Sequence, residues 1–299
     1  MTRIVLHVGM PKTATTTIQH SLEAHSRQLL AGGILFPKSG RTIERSPCHH
    51  ALFLPAASSR HAIRTPLPEP VNTFEGMQLR VEKETKEAGA TSVILSSEML
   101  WNPIAFDTPA LERIRHVFVS CEFTILAYLR SLESHTLSSY AQRVTGPQLY
   151  TGSFSQHVSE AFAAGTYDYK ERLDEFAHVF GRDAVRPVWL PWLGRDVLLP
   201  FRNVLPELKD VAVEKDYNVR KSWLYVAVKR RLNVLEKTRL CRLSRLVDRL
   251  FRRFDALVRK SKRLDSLLEP MDPSTRKNLE KKTEELLEAL ESDYSMRIF

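Results

Sequence analysis

Apolar positions fall into two patterns that alternate through the first two thirds of the chain: short continuous runs, and longer stretches where they recur every third or fourth residue. Residues 3–8, Arg-Ile-Val-Leu-His-Val, form a β-branched run closed by Gly9 and Pro11, as a buried strand would be. Ile18, Leu22, Leu29 and Leu30 then share a helical stripe that stops at Gly32 and Gly33. Further apolar runs at 92–98, 122–130 and 184–190 predict three more strands. Such alternation predicts an α/β fold, a parallel sheet with helices on both faces, whose sites lie at the carboxyl ends of the strands. Residues 37–72, rich in Pro, Ser, Arg and His, predict irregular structure of the lid or active-site type. From Ser222 the pattern is helical only. Leu243, Leu246, Leu250, Phe254 and Leu257 recur with arginines between them until Pro270 and Pro273, and residues 275–294 form a last amphipathic helix. The predicted division is a core over 1–220 and a helical extension over 221–299, with a basic helix over 229–263. No internal repeat or low-complexity tract interrupts it.

Composition narrows this little: 299 residues with 43% hydrophobic content suffice for a substantial core. No apolar run reaches the roughly eighteen residues of a membrane span, and the chain enters a strand at once rather than through a leader pattern. Cys48, Cys121 and Cys241 make no CxxC pair, so neither a zinc site nor a disulfide framework is expected. A cytoplasmic protein fits best. Charge changes the picture more. The net charge is +9, yet Arg220 to Arg263 holds 16 basic residues against Glu236, Asp248 and Asp255, a local +13 that leaves the remainder at −4. That segment has three readings: a solvated face, a site for an anionic partner, or a helix lying peripherally on the inner membrane surface. It carries no recognised nucleic-acid motif, so nucleic acid is not an expected partner.

The candidate chemistry begins at Gly9-Met-Pro-Lys-Thr-Ala-Thr-Thr-Thr-Ile-Gln19, where a strand passes through a loop into a helix. Amides at a helix start lack internal partners and sit at the positive end of the dipole, so this turn suits a phosphate or sulfate. Lys12 adds a full charge, and four threonine hydroxyls add donors. The bland alternative is that Thr13 or Thr15 only caps the helix. The standard nucleotide loop GxxxxGK[ST] does not match, since Lys12 follows Gly9 by three residues with no glycine before it.

Residues 11–19, PKTATTTIQ, do resemble the PKTGTTxLQ loop of sulfotransferases that use 3′-phosphoadenosine 5′-phosphosulfate (PAPS); Ala14 stands where the family has glycine. The resemblance extends to a strand-end Arg130 followed eight residues later by Ser138, with Tyr140 and Gln142 where bacterial members tend to have them. It implies a P-loop NTPase-like sheet and a 5′-phosphosulfate held by Pro11, Lys12, Thr13, Ala14, Thr15, Thr16 and Thr17. It also implies a 3′-phosphate gripped by Arg130 and Ser138, sulfuryl transfer to a hydroxyl without a metal, and Lys12 as the group that stabilises developing charge. For the base that takes the acceptor's proton, Glu98 at the end of Ser-Ser-Glu is the first candidate and His49 the second. His7 reads as a buried, hydrogen-bonded strand residue. Residues 215–223 loosely resemble the segment that closes the cofactor pocket, with Arg220 and Lys221 as further phosphate contacts. The expected acceptor is a carbohydrate, glycolipid or similar small molecule, anionic if the basic helix recruits it. The oligomeric state stays open. A nucleotide-dependent kinase and a non-catalytic polyanion-binding protein are the alternatives.

Overall fold

The computed structural model describes residues 1–10, 12–41, 47–59, 74–214, 221–236 and 241–294, the side chains of 241–245, 256–257 and 262–264 excepted. In chain order β1 (Thr2–Gly9) leads to α1 (Thr15–Ala24), α2 (Ser26–Ala31), β2 (Ile34–Leu35), α3 (His50–Phe53) and α4 (Phe74–Glu87). Next come β3 (Ser92–Ser96), α5 (Thr108–Val117), β4 (Cys121–Leu129), α6 (Leu132–Thr145), α7 (Phe154–Ala163) and α8 (Tyr169–Phe180). The chain continues through β5 (Val185–Trp189), α9 (Leu199–Val204), α10 (Trp223–Glu236), α11 (Cys241–Lys260), α12 (Lys262–Leu267) and α13 (Pro273–Tyr294).

The fold is α/β, a five-stranded sheet in the order β2-β3-β1-β4-β5, every described pairing parallel, flanked by helices. Strand β4 is buried at every position but Glu122, and β1 is buried from Ile4 onward, as strands covered on both faces must be. This is why their sequences are near-continuous apolar runs. Register pairs His7 with Ser96 on β3 and Gly9 with Tyr128 on β4, which brings the carboxyl ends of three adjacent strands side by side. The chain leaves β1 toward β2 and β3 on one side and later reaches β4 and β5 on the other. Such a divergence is where ligands bind in open α/β sheets.

The described residues cluster into two compact units: Met1–Arg130 with Asp168–Asn218 and Leu286–Phe299, and Ser131–Tyr167 with Val219–Glu285. This departs from the expected division at 220, because Ser131–Tyr167 groups with the later helices and the segment from Leu286 groups with the first unit. In the first unit Val5, Ile94 and Leu126 of the sheet meet Ile18 and Leu22 of α1 and Leu198, Phe201 and Leu205 around α9. The buried Tyr128 hydroxyl, which needs a partner, donates to the Val197 carbonyl at 2.7 Å. In the second unit Asn233 of α10 donates from Nδ2 to the carbonyls of Val144 and Tyr150 at 2.8 and 3.0 Å.

Three expectations change. The stripe over 15–33 is two helices, broken at His25 (φ −103°, ψ 16°). The basic helix over 229–263 is likewise parts of α10, α11 and α12. Within residues 37–72, α3 and a 3₁₀ turn at Leu54–Ala56 are ordered, and Ala51, Leu52 and Phe53 are fully buried. No helix among the described residues is long and apolar enough to cross a membrane.

Candidate active site

The loop after β1 is shaped by backbone conformation. Lys12 and Ala14 both lie in the left-handed region, at φ 75° and 61°, with Thr13 between them outside it. Alternation of this kind turns successive amides toward one concavity, a geometry that binds anions. Ala14 is the N-cap of α1, and no side chain caps the helix. The bland reading of the threonines therefore fails: the buried Thr13 hydroxyl donates to the Met10 carbonyl at 2.7 Å, bracing the loop. The first bond inside the helix is from the Ile18 amide to the Ala14 carbonyl at 3.0 Å, so the amides of Thr15 and Thr17 have no acceptor within it. Gly9 lets the loop fold back on its strand. A Cβ there would stand 2.6 Å from Thr13 Oγ1 and 2.8 Å from Thr15 Oγ1, closer than side-chain carbons come.

Arg130 follows β4 directly and donates from Nη1 to the Lys12 carbonyl at 2.9 Å, which ties the strained residue to the neighbouring strand end. Lys12, Glu98 and Arg130 also share one electrostatic neighbourhood. Burial pulls the Lys12 ammonium below its usual range; Glu98 opposes that and Arg130 adds to it. Burial raises the Glu98 carboxyl, against the pull of Lys12 and of the Thr15 hydroxyl. Burial also lowers Arg130. The Thr15 hydroxyl is itself buried and, beyond its contact with Glu98, makes no hydrogen bond among the described residues. A buried donor without a full partner, beside a cation and an amide-lined turn, is what an oxyanion would complete.

Glu98 opens a 3₁₀ turn immediately after β3, and the two serines before it are fixed at every polar atom. The Ser96 amide donates to His49 Nδ1 at 3.1 Å, and its carbonyl accepts from the His49 amide at 2.8 Å. Its hydroxyl meets His7 Nδ1 at 2.8 Å and accepts from Gln19 Nε2 at 2.9 Å. The Ser97 amide donates to the His7 carbonyl at 3.0 Å, and its hydroxyl meets His50 Nδ1 at 2.9 Å.

These bonds decide the role of His49. Because Nδ1 accepts from an amide, the ring proton is on Nε2, which donates to the Pro37 carbonyl at 3.0 Å. Both nitrogens are spent on backbone, and burial pushes the ring down to about 3. His49 is a brace for the strand end rather than the second candidate base. His7 is buried and hydrogen-bonded as expected, also lowered to about 3 by burial, with Tyr128 edge-on at 4.8 Å. Its Nε2 has no hydrogen-bond partner among the described residues and, like Thr15 Oγ1, packs against Gly9.

The structure thus brings together Lys12, Thr13, Ala14, Thr15, Glu98 and Arg130, with Thr16 and Thr17 in the first turn of α1. Ser138 is half-buried on α6 in the second unit, Tyr140 of the same helix donates to the Gly152 carbonyl at 3.4 Å, and Gln142 is exposed. Pro11 and Arg220 lie outside the described residues. The supporting roles of Gln19, Ser96, Ser97 and His50 escape sequence reasoning. Their signals are slight: Gln19 closes the loop over 11–19, and Ser96, Ser97 and His50 are polar residues beside or within apolar runs. No group of three or more His, Cys, Asp or Glu among the described residues is placed to hold a metal ion.

No family model matches the chain, and no curated protein sequence matches it. Among solved structures, a sulfotransferase from Alicyclobacillus acidocaldarius is similar at 18% identity, over 76% of this chain and 90% of that one, with a TM-score of 0.44. A likeness this slight bears on neither mechanism nor substrate.

Proposed function

We propose that the chain is a sulfotransferase that moves a sulfuryl group from PAPS to a hydroxyl, on a carbohydrate or related small acceptor. The observation that carries this is the convergence of Lys12, the left-handed loop and the buried Thr15 hydroxyl with Glu98 at the carboxyl edge of the sheet. When bound, PAPS supplies an activated sulfuryl group and a phosphate leaving group. The chain's own residues then have separate tasks. Loop amides and Thr15 hold the 5′-phosphosulfate, and Lys12 meets the negative charge that grows on the bridging oxygen as the bond to sulfur breaks. Arg130 holds Lys12 in place and adds positive charge for the 3′-phosphate. Glu98 accepts the proton of the attacking hydroxyl; burial makes it a stronger base than an exposed glutamate, while Lys12 keeps it ionisable.

The test joins ligand selectivity to turnover. 3′-Phosphoadenosine 5′-phosphate, without magnesium, should raise thermal stability by about 2.7 kcal/mol at a hundred times its dissociation constant, and ATP should not. Lys12→Ala should lose on the order of a hundred- to a thousandfold in PAPS-dependent rate, with weaker effect on binding of the desulfated nucleotide. Stabilisation by ATP in preference to the bisphosphate, or Lys12→Ala turnover within a fewfold of wild type, would sink the reading.

A further inference from the structure

Most large apolar side chains left exposed in the first unit stand singly on separate segments, as Leu30, Leu79, Ile104 and Val119 do, which is ordinary. Helix α11 in the second unit is different. Leu246, Leu250 and Phe254, each four residues after the last, are 55%, 47% and 58% exposed and lie along one side of it. Its inward side carries acids instead. Buried Asp248 accepts from the Tyr225 hydroxyl at 2.7 Å, and buried Asp255 accepts from the Ser222 amide at 2.8 Å, where α10 begins. The seating of α11 on α10 therefore uses polar contacts at two positions and leaves an apolar stripe in water. In an ordinary surface helix the stripe would face the core. Arg249 and Arg253, both exposed, border that stripe.

We propose that α11 docks the second unit onto an anionic lipid bilayer, with Leu246, Leu250 and Phe254 entering the acyl boundary and the arginines meeting the headgroups. An exposed apolar stripe beside a strongly basic face is the requirement of a helix lying in such an interface. The surrounding segment supplies the long-range attraction, at +13 between Arg220 and Arg263. Other occupants match one feature and not the other. A soluble polyanion would meet the arginines and leave the stripe in water. A second copy would cover the stripe and set +13 against +13, which like charges oppose. This inference does not depend on the reaction proposed above.

The experiment uses the full chain carrying Phe254→Trp, whose emission reports entry into an apolar phase, and vesicles of phosphatidylcholine alone or with phosphatidylglycerol. Binding to the anionic vesicles with a blue shift is expected, at least about tenfold stronger than to neutral ones, weakened by salt without being abolished. The variant Leu246→Ser, Leu250→Ser, Phe254→Ser keeps the charge and should lose vesicle binding on the order of tenfold or more, with its melting temperature nearly unchanged because the positions are exposed. Absence of vesicle binding, or no blue shift, overturns the proposal. So does equal binding by the serine variant, which would mark a charge-only surface for soluble polyanions. A dimer that the serine variant dissolves would assign the stripe to self-association instead.

Discussion

At the scale of single residues, the loop holds two non-glycine residues where glycine is the usual choice, and their reasons differ. Lys12 at φ 75° carries the side chain that the proposed reaction would use, so strain there would accompany a function, and Arg130 holds its carbonyl in place. Ala14 at φ 61° contributes only a methyl group. A left-handed alanine costs about 1–2 kcal/mol, and replacing it by glycine returns about 0.4–1 kcal/mol of that to the unfolded chain as added freedom. Ala14→Gly is therefore expected to stabilise the protein by about 0.5–1 kcal/mol in urea unfolding. A variant less stable than wild type would show that the loop conformation is wrong. The same geometry gives the physical reason for glycine in the resembling sulfotransferase loop at the position where this chain has alanine.

At the scale of elements, how much could be read from the sequence depended on range. Strands β1, β3, β4 and β5 declared themselves because burial on both faces demands unbroken apolar runs. The two-residue β2 is too short to show any period. The break at His25 left the apolar stripe intact and so gave no sign in it. The grouping of Lys12, the threonines, Glu98 and Arg130 in the candidate site was readable because each sits beside the strand end that positions it. His49 was not, since its role rests on Pro37, 12 residues away, and Ser96, 47 away. A bracing role makes a prediction that a base would not. His49→Gln should leave the Ser96 amide or the Pro37 carbonyl poorly paired in a buried place, at about 1–3 kcal/mol for each group lost. Chemical denaturation should show that loss of stability. Unchanged stability combined with a large drop in turnover would restore His49 as the base.

At the scale of the whole molecule, buried neutral histidines govern the response to mild acid. His7 and His49 are fully buried in the first unit and held down to about 3, chiefly by burial. His157, buried in the second, is held to about 4 by burial and then by Arg143, whose Nη1 donates to its Nδ1 at 2.9 Å. A base with a depressed folded pKa binds fewer protons folded than unfolded. Its stabilising share is complete above the unfolded value of about 6.5 and is withdrawn as pH falls toward the folded one. At pH 5 that amounts to about 2 kcal/mol each for His7, His49 and His50, the last held at about 4 by burial. Glu98 acts in the opposite sense, because burial raises its carboxyl and the folded state then takes up its proton more readily. Glu160 and Asp174, held below the usual carboxylate range, stay charged until lower pH, so the interval from 6.5 to 5 belongs mainly to the histidines. Urea unfolding should therefore show the protein less stable at pH 5 than at pH 7.5 by several kcal/mol, the loss from the histidines exceeding the opposing contribution of Glu98. If the urea midpoints coincide at the two pH values, the histidines are not buried in the neutral form, and the clamp they make on Ser96 beside the candidate base is not as described.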